Sequence, residues 1–177
     1  MPHAHPNEID TFRAVWNAEA ESTIRVLEAL PTDQYDFRPD PKGRSIGELA
    51  WHLSEIDACL SFGIAAGRFR FEDEPPDLKR PREIKLLAPG YRRVHEQAVA
   101  RLESLQNDQL DDSVTFFDGR RLAIRNVLWG QLLHHLIHHR GQLVLLSRMA
   151  GGTPPGLYGP NREEMQALRA KMETAKA

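Results

Sequence analysis

The sequence predicts an all-α protein, a four-helix bundle with a short β-hairpin and a short C-terminal helix. Four long segments repeat their apolar residues at steps of three and four, the spacing of one face of an α-helix. Capping residues stand at the expected helix starts. Only one stretch, VTFFDGRRLAI (114–124), abandons the helical period.

The first helix is expected over residues 7–30, where Ile9, Phe12, Trp16, Ala20, Ile24 and Leu27 share a face and Pro31 closes the run. Residues 31–44 are rich in Pro, Asp and Gly and read as a loop, anchored by Tyr35 and Phe37. Ser45 opens the second helix with a capping box completed by Glu48. Its inward line is Leu49, His52, Ile56 and Cys59, and it fades over 63–70. A third helix is expected over 82–105, with a kink or a late start at Pro89-Gly90. Asp118-Gly119 between apolar residues is a hairpin turn. Such a ribbon is not stable alone and must lean on the helices. The fourth helix runs from Ile124 to Ala150 and stops at Gly151-Gly152. The last opens at Asn161, paired with Glu164. These elements form one domain over 7–175, preceded by a flexible terminus, 1–6.

Composition narrows the function. The formal net charge of −2 and the lack of a basic run argue against nucleic acid as a partner. No apolar run approaches the ~20 residues of a membrane span. The N-terminus lacks the layout of a signal peptide. The single cysteine, Cys59, cannot form an internal disulfide, which suits a reducing compartment. These points together predict a cytoplasmic protein.

Four of the eight histidines fall in HHLIHH, residues 134–139. Heptad steps along the fourth helix give one line through Leu128, Leu132, His135, His139, Gln142, Leu146 and Met149. The adjacent line carries His134 and His138 and reads as a rim. Two imidazoles one turn apart on an apolar face can grip one metal ion at ~2.0–2.1 Å. For a third ligand, His3 and His5 sit in the terminus and His95 follows Val94 on a side expected to be exposed. His52 points inward. Cys59, ~10 Å further along its helix, is read as a small buried hydrophobe. Purely structural histidines without metal are the competing reading.

The strings RSIGELAWHLSEID, HHLIHHRGQLVLLSRMAGG and PPGLYGPN together resemble the DinB-like (YfiT-like) family of metal-binding four-helix proteins. The most specific element is His-x-x-x-His-Arg-Gly-Gln, residues 135–142. The resemblance covers nearly the whole chain. It implies one divalent ion held by His52, His135 and His139, the three that the seam lines also select. It implies no ligand role for His134 or His138. Relatives include thiol S-transferases using low-molecular-weight thiols such as bacillithiol, and a mycothiol-dependent maleylpyruvate isomerase. Homodimers occur among them, and Trp129, Leu133, Leu136 and Val144 are expected to extend the apolar surface of the fourth helix enough for one.

Three neutral ligands would leave the ion its full charge and open positions, unlike a closed structural zinc site. A bound thiol, with a starting pKa near ~8.5, would become thiolate readily. The leading expectation is a metal-dependent thiol S-transferase. A metal-dependent hydrolase is second, weakened because Leu136 stands where a His-Glu-x-x-His motif places its base. A non-catalytic metal-binding stress-response protein is third. Zn, Ni, Fe and Mn would all accept these ligands. Gln142, Glu48 and Glu55 are the candidates to orient the imidazoles. Gly141, costing ~1 kcal/mol inside a helix, suggests a close helix contact. Arg140 is read as the donor of a structural ion pair. The loops 66–81 and 151–160 are expected to shape the mouth of the site.

Overall fold

A computed structural model describes residues 7–73 and 75–175. The terminus 1–6, with His3 and His5, lies outside the described residues. The architecture is mostly helical with a short hairpin and a C-terminal helix. Helix α1 (Glu8–Glu28) starts where Asn7 Oδ1 accepts from the Asp10 amide at 2.9 Å, and it buries Ile9, Phe12, Trp16, Ile24 and Leu27. Helix α2 (Ile46–Ala66) carries the expected capping box: Ser45 Oγ accepts from the Glu48 amide, and Glu48 Oε2 from the Ser45 amide at 2.9 Å. Both devices satisfy amides that a helix start leaves without partners.

Helix α3 (Leu87–Arg101) starts late, after a 3₁₀ turn over Ile84–Leu86. Pro89 therefore falls in the first turn, where its missing N–H costs nothing and no kink is needed. The hairpin pairs β1 (Ser113–Thr115) antiparallel to β2 (Arg121–Ala123), with Val114 opposite Leu122. Gly119 takes φ +82° in the turn, and its amide bonds the Phe116 carbonyl at 2.9 Å. The hairpin leans on the segment after α2, where the Phe69 amide donates to the Thr115 carbonyl at 2.8 Å.

From Ile124 to Met149 the backbone is one helical run: α4 (Ile124–Asn126), a π-type segment (Val127–His134) and α5 (His135–Met149). The π segment changes the phase expected from heptads. A π turn is wider than an α turn. The deepest line accordingly advances in fours, through Leu128, Leu132, Leu136 and Arg140, instead of stepping from Leu132 to His135. His135 and His139 lie beside this line, half-buried at the edge of the core, while His134 and His138 are exposed. Leu133 and Leu136 are buried within the chain, so they do not extend an outer apolar surface as expected. The bundle is wide enough to cover them. Gly141 is also not a close contact, because a Cβ there would meet nothing within 4 Å. Helix α6 (Arg162–Thr174) buries no residue and is tied to α5 by Arg148 and Glu163, whose Nη2 and Oε2 are 2.7 Å apart.

Helix α2 is central and packs on α3 on one side and on α5 on the other, while α1 closes against α3 and α5. Two buried polar groups set the rotation of the packed helices. Asp57 of α2, 0% exposed, accepts from Trp16 Nε1 at 3.0 Å and from His95 Nδ1 at 2.8 Å. His95 is thus 7% exposed, in contrast to the outward position expected from sequence, and its Nε2 lies 2.9 Å from Asn17 Oδ1. A partner on another helix, not the local period, decides its side. Arg140, 1% exposed, donates to the Glu19 carbonyl at 2.8 Å and pairs with the Glu19 carboxylate. Tyr158 donates to the same carboxylate at 2.7 Å and places its ring under the guanidinium. The Leu-Tyr-Gly-Pro string therefore fastens the loop after α5 to the buried ion pair.

Asp57→Ala should lower unfolding free energy by about 3–5 kcal/mol, because it strands the Trp16 and His95 donors in the core. Asp33→Ala, on the surface, should change it by less than ~0.5 kcal/mol. Urea denaturation of both variants measures the difference, and equal stabilities would remove Asp57 as an anchor.

Candidate metal centre

Asp57 faces α1 and α3, and His52, five residues earlier, is turned about 140° away along α2, toward α5. There it meets His135 and His139, one helical turn apart. The three rings offer one nitrogen each within 4.8 Å of one another. His135 Nε2 and His139 Nε2 are 2.8 Å apart, and the His52 ring centroid lies 5.6 and 4.8 Å from those of His135 and His139. This cluster is capable of coordinating a divalent metal ion.

The surrounding groups fix which nitrogen faces inward. Glu55, one turn after His52, holds His52 Nδ1 at 2.9 Å. Gln142 Oε1 holds His139 Nδ1 at 2.7 Å. In both rings the Nδ1 proton is spoken for, so Nε2 carries the lone pair. Gln142 Nε2 donates in turn to His138 Nε2 at 3.1 Å, which gives the outer histidine a place in orienting Gln142. Glu48 does not join this layer. Its carboxylate is occupied by the Ser45 amide and by Arg38 at 3.1 Å, and those partners hold its pKa below the usual carboxylate value.

Electrostatics favour the neutral rings. Desolvation, with repulsion from His135 and His52, pushes His139 down to about 4 against the opposing bond from Gln142. Desolvation and the neighbouring His52 also lower His135, while the Gln131 carbonyl works the other way. Two neutral Nε2 atoms at 2.8 Å would oppose their lone pairs, so without an ion one of them must carry a proton. A cation between them satisfies all three lone pairs at once. The donor set of neutral nitrogens suits Zn, Ni, Fe or Mn and does not suit Mg or Ca, which prefer oxygen.

The cluster borders a cleft of about 960 Å³, on which His52 and His135 open. Of the two loops expected at its mouth, the first contributes Phe71 and Leu78. Residues 151–160 do not line it, since Tyr158 is drawn to Arg140 and Glu19 instead. Cys59 sits in the cleft wall. Desolvation and the Glu55 charge push its thiol up to about 11, so it remains protonated at neutral pH and is a poor ligand. Sequence reasoning missed the hairpin as a wall of the site. Its Phe116-Phe117 pair ahead of Asp-Gly was the available signal.

Comparison with known proteins places the chain. The profile of the DinB family matches residues 5–175. The protein YrdA of Bacillus subtilis strain 168 is 28% identical over 156 residues, covering 88% of this chain and 91% of the relative. YjoA of the same strain is 30% identical over 143 residues, covering 77% and 86%. Among solved structures, a DinB-like protein of Bacillus cereus ATCC 10987 superposes with a TM-score of 0.71 at 32% identity, covering 85% of this chain and 97% of that one. The YjoA structure gives 0.66 at 25% identity, covering 86% and 99%. A match along almost the full length, with the same helical frame in both solved relatives, establishes that the chain belongs to the DinB family.

Proposed function

We propose that this protein is a metal-dependent, thiol S-transferase-like enzyme whose divalent ion is held by His52, His135 and His139. The observation that carries this reading is the convergence of three imidazoles, two of them held from behind by Glu55 and Gln142, on a point that opens to a roomy cleft. Three protein ligands with an accessible side are the arrangement of reactive sites; structural sites close with four. A divalent ion here would act as a Lewis acid and lower the pKa of a thiol brought to it. Glu55 and Gln142 hold the His52 and His139 rings in the required tautomer. The apolar walls keep water from a nucleophile held at the cleft floor. Hydrolysis is less well supported, because Leu136 occupies the position of a zincin-type base and the nearest carboxylate, Glu55, is engaged with His52. Turnover of an electrophile only when thiol is supplied favours the transferase. Thiol-independent ester or amide cleavage favours the hydrolase, and retained metal without turnover favours a binding protein.

Elemental analysis should find about one divalent ion per chain in the purified protein. His52→Ala and His135→Ala should each lose most of it, while the His134→Ala/His138→Ala pair keeps at least half. Full metal content in both single variants would reject the tri-histidine site.

Gln142→Ala and Glu55→Gln test the backing layer. Each should weaken metal affinity about 10–100-fold without removing a ligand. A competition titration against a coloured chelator reads the change. Wild-type affinity in both would show the rings to be oriented by packing alone.

Acid should release the metal and destabilise the fold. His139 titrates near 4 in the folded chain against 6.5 in its ordinary state. Between those values the unfolded chain binds more protons, so this contribution to stability is complete above about pH 6.5 and is lost as pH falls toward 4. Protons compete with metal for the same nitrogens, so occupancy should drop between about pH 7 and pH 5. Chelator at pH 7 should remove the metal contribution alone. Thermal melts unaffected by either treatment would mean that no stabilising ion is held.

A further inference from the structure

The cleft beside the histidines has an unequal lining. Its floor is polar, with His52, His135 and Gln131, and its walls are apolar. Ile56 and Leu60 of α2 form one wall. Phe116 and Phe117 of the hairpin, with Phe71 from the segment after α2, form the other. The aromatic wall is built, not loosely draped. The Phe71 and Phe117 rings stack at 4.7 Å with 25° between planes, and Phe116 meets Phe117 edge-on at 5.0 Å. Beneath them Phe69 contacts both hairpin rings, at 5.0 and 5.4 Å. Phe69 is in turn seated on Gly63 of α2, so closely that a Cβ there would lie 2.1 Å from its ring. The wall is thus pinned to the helix that carries His52.

Phe71 stays 81% exposed at the lip of this wall. An exposed phenylalanine stacked on a second ring, facing an apolar wall across a cleft, offers a flat slot. Among the described residues the charges around the slot are mixed: Glu55, Asp73 and Asp77 stand with Lys79, and Arg68 and Arg70 border the adjoining hollow that shares Phe71 and Phe117. A divalent ion on the histidines would offset the acidic excess, so the apolar walls, and not the charges, select the ligand.

We propose that the cleft selects molecules that join one thiol to an uncharged aromatic ring, with sulfur directed to the histidine floor and the ring held between the phenylalanine wall and Ile56–Leu60. This selectivity rests on the metal-site reading for the sulfur end; the ring end stands on the cleft alone. Burying a ring against such walls amounts to tenfold or more in affinity by order of magnitude, about 1.4 kcal/mol per decade.

Two thiols separate the possibilities on cobalt-loaded protein, with the absorption spectrum as readout. Benzyl mercaptan should bind about tenfold or more tightly than 2-mercaptoethanol. Phe71→Ala, at an exposed position, should reduce the preference for benzyl mercaptan severalfold and leave 2-mercaptoethanol affinity and the metal content unchanged. Equal binding of the two thiols by the unaltered protein would overturn the proposal. Cobalt that fails to bind at all would defeat the metal-site reading separately. The cleft is then decided by benzyl alcohol on the protein as purified: it should shift the NMR signals of Ile56, Leu60 and Phe117, and unmoved signals would overturn the ring slot as well.

Discussion

The centre depends on the rotation of two helices about their own axes, and buried charge sets both rotations. Asp57 commits one side of α2 to α1 and α3 through Trp16 and His95. Arg140 commits one side of α5 to α1 through Glu19. Unpairing either group in the interior would cost about 3–5 kcal/mol, more than any local propensity in these helices can offset. Apolar packing alone would tolerate a small rotation of a leucine-rich helix, since leucines on neighbouring lines can exchange roles. A buried carboxylate with two donors tolerates none. With α2 and α5 locked, His52 and the His135–His139 pair have to face each other.

The same constraint explains why the histidines are half-buried. The π segment feeds the core line through Leu136 and Arg140, which moves His135 and His139 one residue to the side. A metal site in the middle of the core would be closed to substrate. A site on the outer face would be hydrated, and its imidazoles would titrate near their ordinary value. At the edge, desolvation lowers His139 and His135 while the cleft still reaches the nitrogens. π turns are uncommon in helices and recur beside functional sites; here the turn provides the small phase change that separates a core position from a rim position.

Features written in neighbouring residues were legible in the sequence. The capping boxes at Ser45 and Asn161, the Asp118-Gly119 turn and the apolar stripes of α1 and α2 all stand in the structure where their local chemistry puts them. The three histidines of the cluster could be picked out because an i,i+4 pair and an inward His52 are also local patterns. What escaped was set by distant partners. His95 is buried because Asp57, thirty-eight positions earlier, needs a donor. Arg140 makes the ion pair expected of it, but its burial and its partner escaped, because Glu19 and Tyr158 meet it from distant elements. Neither pairing leaves a periodic trace. The heptad reading erred for a different reason: a period extracted from leucines cannot reveal a π turn, which changes the period itself.

The two sides of α2 therefore divide the labour of the protein. Toward α1 and α3 it presents Asp57, whose one carboxylate satisfies both Trp16 and His95. Toward α5 it presents His52, whose Nδ1 is satisfied by Glu55 while its other nitrogen is directed at two more rings. An imidazole cluster in which Glu55 and Gln142 hold the outer nitrogens of two rings, so that their inner lone pairs face the third, is completed by a cation. Stability gives no reason to assemble it, since leucines at 135 and 139 would continue the core at no desolvation cost. The arrangement makes physical sense as a place where a positive charge is held next to a cleft, and the apolar walls of that cleft determine what the charge can act on.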